Sequence, residues 1–147
     1  MRIRETTYMV TSATSPRRPV FQVHASAQLL CDVLTHYRDQ GNYKLHAFVV
    51  MPDHFHAVLT PAPIKTLEQC VQLIKGGSSA RLKKGPIWQK GFNEQSLQSE
   101  EAYRAALRYV EANPARRGLM EWPFSSDRLE IRLDPMPLRL SGLSRFH

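Results

Sequence analysis

Two apolar runs, Tyr43 to Met51 and His54 to Thr60, are separated only by Pro52 and Asp53, and nothing else in the chain restricts its fold as much. Pro52 cannot donate to a ladder and Asp53 suits a turn, so the pair predicts an antiparallel hairpin. The first run alternates around Leu45, Ala47, Val49 and Met51, yet Phe48 and Val50 make its other face apolar too. A strand with that pattern is covered, at least in part, on both sides. In the second run Phe55, Ala57 and Leu59 share one face, while His54, His56 and Val58 share the other, because side chains alternate with period two.

The covering elements are also readable. Residues 6–11 are β-branched and aromatic and predict a first strand, followed by a loop over 12–19 decorated with Arg17 and Arg18. Ala27, Leu30, Cys31 and Leu34 then recur at helical spacing, with Ser26 as N-cap and Gly41 as stop. Thr66-x-x-Gln69 is a capping-box pattern before a stripe of Leu67, Cys70, Val71 and Ile74. Gly76-Gly77 should weaken or end that second helix, and residues 85–92 read as a loop. A third helix is expected after Ser99, with Glu100 and Glu101 in its first turn and an end near Asn113, which Pro114 restricts. The proline- and arginine-rich stretch beyond Trp122 lacks periodicity, and 134–147 is assigned no structure.

A length of 147 residues, 42% hydrophobic and 22% charged, fits one globular domain over 1–147. No run reaches membrane-spanning length and Met1 to Glu5 opens no signal-peptide core. Cys31 and Cys70, without a CxxC or a dense framework, predict reduced core thiols and a cytoplasmic protein. The net charge is +7, and six Lys or Arg lie between Lys65 and Lys90 against one acid, Glu68. Such a segment attracts a polyanion, or else serves only as a solvated surface.

Chemistry enters with His54-Phe55-His56. Chance alone gives roughly 0.2 such pairs in a chain of this composition, so the triplet by itself is a weak signal. On a strand both imidazoles project from one face, within reach of one ion. On the third helix Ala102, Ala106, Tyr109 and Asn113 fall on one face, and the two alanines let it lie close to a sheet. If that sheet presents the histidines, the site holds two neutral imidazoles, an amide oxygen and a phenol. This set suits phosphodiester cleavage, with Mg²⁺ or Mn²⁺ on the mixed N/O ligands and Tyr109 held in line as nucleophile. Asn113 has a second reading as a helix cap before Pro114. Trp88 either stacks a base, with Phe92 and Lys90 beside it, or packs in the core. Arg116 and Arg117 either favour a helix C-terminus or hold phosphate.

Taken with their order, Met51-Pro52-Asp53-His54-Phe55-His56 and Tyr109 to Leu119 resemble the single-tyrosine HUH transposases of the REP-associated kind. Ile74-Lys75-Gly76, Ile87 to Phe92 and Phe124-Ser125-Ser126 match the family's landmarks, and the resemblance covers about 6–126. It implies a ferredoxin-like α+β domain with a central antiparallel sheet. It also implies metal-dependent cleavage and rejoining of single-stranded DNA beside hairpins through a 5′-phosphotyrosine. By motif, His54 and His56 become metal ligands, Tyr109 the nucleophile, and Asn113 a third ligand or orienting group. Lys75, Arg81, Lys83, Lys84, Trp88, Lys90, Arg116 and Arg117 are the expected nucleic-acid contacts. Two rival readings remain: a domesticated module that holds hairpin DNA without cleaving it, and a metal-dependent hydrolase that attacks with water. A monomer suffices if the Tyr109 helix docks on its own sheet; otherwise a homodimer is required.

Overall fold

The predicted hairpin forms the centre of a four-stranded sheet. In the computed structural model, which describes residues 5–131 and 133–140, β1 (Thr7–Ala13), α1 (His24–Asp39), β2 (Tyr43–Met51), β3 (His54–Pro61), α2 (Leu67–Leu82), β4 (Asn93–Leu97) and α3 (Glu100–Arg116) follow in order. The sheet runs β2-β3-β1-β4, and every neighbouring pair is antiparallel. This is the ferredoxin-like arrangement that the resemblance implies. Helices α1 and α2 cover one face. Tyr43 Oη donates to the Leu34 carbonyl at 2.6 Å, and a Cβ added to Gly77 would stand 2.7 Å from Tyr37 Oη. Helix α3 covers the opposite face, where the rings of Tyr103 and Tyr109 meet His46 and His56.

The double cover predicted for β2 is present, but its simple alternation is not. A bulge between Leu45 and Ala47 leaves His46 as the extra residue. Leu45 therefore pairs with Leu59 on the α1/α2 face, whereas Ala47 pairs with Val58 on the α3 face. The bulge is held from outside by Asp134. Its carboxylate accepts from Leu45 N at 2.8 Å and from Arg38 Nη2 and Nε at 2.9 and 3.1 Å. Residues left without assigned structure thus include the clamp on β2, and a 3-10 turn follows at Leu138–Leu140. Residues 141–147 lie outside the described residues.

Other expectations need correction. Ser26 is not an N-cap: α1 begins at His24, capped by the Val23 backbone, and Ser26 is buried within its first turn. Gly76-Gly77 do not end α2, which runs to Leu82, because Gly77 is where α2 closes on Tyr37 of α1. Helix α3 does not stop at Asn113. Pro114 sits in its last turn, giving up the one N–H bond that would reach the Val110 carbonyl, and Gly118 follows the helix with φ +77°. Asn113 is consequently inside α3 and caps no following helix. Strand β4, Asn-Glu-Gln-Ser-Leu, has no apolar alternation and is an unpredicted edge strand, exposed except at Leu97. The capping box on α2 and the Ser99 cap on α3 form as expected.

Candidate active site

The period-two argument places His54 and His56 together, and the register supplies their supports. Met51, Val49 and Ala47 lie opposite His54, His56 and Val58 on one side, and Ala13, Thr11 and Met9 on the other. The two imidazoles are both buried, at 3% and 5% exposure, with ring centroids 4.9 Å apart and planes at 80°. His54 Nδ1 is 2.7 Å from Asp53 Oδ1. A carboxylate only accepts, so Nδ1 carries the proton and Nε2 keeps its lone pair. Arg17 Nε donates to the other Asp53 oxygen at 3.1 Å, fixing the carboxylate. His56 Nδ1 is 2.6 Å from Thr11 Oγ1. Its Nε2 is buried and has no hydrogen-bond partner among the described residues.

Burial drives both histidines toward the neutral form. His56 is pushed down to about 3 by desolvation, helped by the neighbouring His54 and the charge of Arg117. His54 is also lowered by desolvation, against the opposing pull of Asp53. With His56 donating from Nδ1 to Thr11, both neutral imidazoles present an Nε2 lone pair, as a divalent cation requires.

From α3, the half-buried Tyr109 sets its ring 5.3 Å from that of His56 at 81°. Arg116 lies over the same ring, its Cζ 4.7 Å from the centroid. Asn113, one turn on from Tyr109, is 2% exposed, and its Oδ1 is likewise buried without a partner. A buried polar atom left unpaired costs about 1–3 kcal/mol. Two such acceptors, on β3 and α3 on the α3-covered face, fit a bound cation. Among the described residues no three His, Cys, Asp or Glu side chains cluster, and the Asn113 amide is the further oxygen donor on this face. The anticipated face of Ala102, Ala106, Tyr109 and Asn113 is only partly the buried one. Tyr103, Ala106, Val110, Asn113 and Pro114 are buried, and Tyr109 lies at its margin.

The predicted nucleic-acid contacts separate into three groups. Arg116 and Arg117 flank the site. Arg81, Lys83, Lys84 and Lys90 are exposed around the C-terminal end of α2 and the loop after it, outside the face carrying the histidines. Lys75 and Trp88 are engaged internally. Lys75 Nζ donates to the carbonyls of Gln89 (2.9 Å) and Gly91, and Trp88 Nε1 donates to Ser78 Oγ at 3.1 Å. The Trp88 ring packs on Phe21 and Phe55, so the core reading holds for most of it. Sequence reasoning did not assign Asp53, Thr11 and Arg17 to the site. Asp53 was visible beside His54, whereas Thr11 reaches His56 only through the β1–β3 register.

A family model described as "Transposase IS200 like" matches residues 3–113. The chain is 24% identical over 120 residues to the REP-associated tyrosine transposase of Escherichia coli (strain K12), covering 78% of this chain and 73% of that protein. A solved structure of a REP-associated tyrosine transposase bound to a REP hairpin superposes with a TM-score of 0.74 at 22% identity, covering 92% of this chain and 86% of that one. A putative transposase from Deinococcus radiodurans R1 superposes with a TM-score of 0.58 at 26% identity, covering 75% and 92%. The expected fold and the resemblance to REP-associated tyrosine transposases are both borne out. Among the described residues no helix is long and apolar enough to cross a membrane.

Proposed function

The chain belongs to the IS200-like transposase family, and from that premise we propose that it is an HUH strand transferase that cleaves and rejoins single-stranded DNA beside hairpins. The observation that carries this reading is the pair of buried, unpartnered acceptors, His56 Nε2 and Asn113 Oδ1, on the face where Tyr109 meets His56. His54, His56 and Asn113 would hold Mg²⁺ or Mn²⁺, which when bound supplies charge stabilisation at a non-bridging phosphate oxygen. Tyr109 Oη attacks phosphorus, forming the tyrosyl–phosphate bond as the P–O3′ bond breaks. The 3′-hydroxyl leaves with the proton that the phenol gives up, and the 5′-phosphotyrosine keeps the bond energy for rejoining. Arg116 and Arg117 hold the scissile strand's phosphates. All these groups come from one chain, so a monomer with its active site in cis suffices. The hairpin partner is drawn from the relative whose structure holds a REP hairpin.

The test is a covalent adduct. Wild-type protein incubated with hairpin-bearing single-stranded DNA and Mg²⁺ or Mn²⁺ should give a protein–DNA species that survives denaturing electrophoresis, and Tyr109→Phe should not. Cleavage without an adduct would assign the attack to water. Tight hairpin binding with no cleavage under either metal would make the chain a binding module.

A further inference from the structure

Arg17, in the loop after β1, has a φ of +67°, a left-handed conformation that a residue with a Cβ disfavours. Its surroundings hold it there. Arg17 N donates to the Thr14 carbonyl at 2.8 Å, and Thr14 N donates to the Asp53 carbonyl at 2.9 Å. On the other side, Arg18 Nη2 donates to the Pro86 carbonyl at 3.0 Å. The Arg17 side chain returns little stability for this conformation, since its ion pair with Asp53 is about half exposed and such pairs are weak in water. Unfavourable backbone that its surroundings enforce is found where it positions a group for function.

The group it positions is Asp53. Arg17 Nε donates to Oδ2 at 3.1 Å, while His54 Nδ1 lies 2.7 Å from Oδ1. A guanidinium stays protonated and can only donate. With Arg17 on its second oxygen, the carboxylate is kept ionised and cannot turn away, so it accepts from His54 Nδ1 and leaves the lone pair on Nε2. The second histidine has no such device. A hydroxyl both donates and accepts, so the Thr11 bond to His56 does not by itself fix that ring's tautomer. Partners one step behind a ligating histidine set its orientation and its tautomer.

We propose that Arg17 is a positioning residue of the metal site: through Asp53 it locks His54 in the tautomer that presents Nε2 before any cation arrives. The inference rests on the proposed metal role of His54 and adds to it the residue that presets that ligand.

The donor and acceptor capacities of the three side chains give a test with a change of sign. Asp53→Asn leaves one acceptor and one donor where there were two acceptors. With Arg17 claiming the oxygen, the amide N–H turns to His54. Nδ1 must then accept, and the ring proton moves to Nε2, where the cation would bind. Calorimetry on the full chain should show Mn²⁺ affinity falling about tenfold or more in Asp53→Asn, the scale for a lost partner of a ligating histidine. Arg17→Gly should weaken Mn²⁺ binding about threefold in the wild-type background and strengthen it about threefold in the Asp53→Asn background, a smaller effect because Arg17 acts through Asp53. Ring ¹⁵N shifts of the metal-free proteins should report His54 as Nδ1–H in wild type, Nε2–H in Asp53→Asn, and Nδ1–H again in the double variant. Without metal, Arg17→Gly should melt at or above the wild-type temperature, because glycine accepts a φ of +67°.

An Arg17→Gly effect of one sign in both backgrounds, an unchanged tautomer in Asp53→Asn, or a marked loss of metal-free stability in Arg17→Gly would each overturn the relay while leaving His54 a ligand. Wild-type protein that takes up no Mn²⁺ would instead sink the metal reading, and the role of Arg17 with it.

Discussion

The α3 face of the sheet carries two histidine–tyrosine pairs, His46 with Tyr103 and His56 with Tyr109, and they are wired in opposite ways. Both pairs meet edge to face, with centroids 5.4 and 5.3 Å apart. Around His46 every polar atom is used. Nδ1 donates to the Asp134 carbonyl at 3.2 Å, Nε2 is 2.9 Å from Thr60 Oγ1, and Thr60 is 2.7 Å from Thr7. Because the carbonyl only accepts, the chain of bonds runs one way, Thr7 to Thr60 to His46 to Asp134. Among the described residues His56 has a hydrogen bond only to Thr11, and its second nitrogen has no hydrogen-bond partner. The same residue types, with the histidines on neighbouring strands and both tyrosines on α3, thus make a closed structural network at one end and an open donor set at the other. Satisfied buried polar groups contribute stability, while unsatisfied ones cost it and persist where a ligand completes them.

Exchanging the two ends gives the largest contrast. Tyr109→Phe should remove adduct formation by several orders of magnitude, while Tyr103→Phe leaves it near wild type, as read by denaturing electrophoresis. An adduct surviving in Tyr109→Phe and lost in Tyr103→Phe would reverse the assignment of the two ends.

The histidines should divide between chemistry and stability. His56→Ala or His54→Ala should abolish cleavage and the Mn²⁺-induced rise in melting temperature, with the metal-free fold retained. His46→Ala should cost about 3 kcal/mol by stranding Thr60 and the Asp134 carbonyl, with cleavage retained in the folded fraction. Asp134→Asn, weakening the bonds from Arg38 and Leu45, should cost about 2 kcal/mol. Equal stability losses at His46 and His56 would dissolve the distinction.

Acid should act on both ends. His46, His54 and His56 are all lowered, mainly by burial, while in the unfolded chain each takes a proton near pH 6.5. Folded values below unfolded ones mean that the unfolded chain binds protons first as pH falls. Stability is therefore intact above about pH 6.5 and declines below it. Denaturant titrations either side of that value should show the decline, and His46→Gln should make it shallower. Mn²⁺ stabilisation should persist below pH 6.5, because His56 stays neutral down to about 3; loss centred on 6.5 would contradict the burial.

The smallest effects belong to the outer cations. Neutralising Lys83, Lys84 or Lys90 should lower the salt slope of single-stranded DNA binding by about 0.7 per lost phosphate contact. Lys75→Ala should instead lower the melting temperature, since its ammonium holds the 89–91 loop.

Much of this was legible in local pattern. Residues 43–61 read as a hairpin because Pro52 and Asp53 interrupt two apolar runs, and the helices announced themselves by Thr66-x-x-Gln69 and Ser99. Strand β4 did not, because an edge strand exposed to solvent needs no apolar alternation; its backbone pairing with β1 makes it a strand. Gly76-Gly77 and Pro114 read as breakers by propensity, but packing of α2 on Tyr37 and burial of Pro114 outweigh costs of about 1–3 kcal/mol.

By itself the amino-acid order determined which chemistry the chain carries: two imidazoles on one strand face, a phenol and an amide one helical turn apart, and a family pattern joining them. Only tertiary structure decided which polar groups are spent and which are free. The β1–β3 register brings Thr11 to His56, the bulge at His46 and the Asp134 clamp close the other network, and the docking of α3 leaves Asn113 Oδ1 without a hydrogen-bond partner among the described residues. Partnership between buried groups depends on atoms far apart in sequence, and its distances are set only when the sheet and its helices pack.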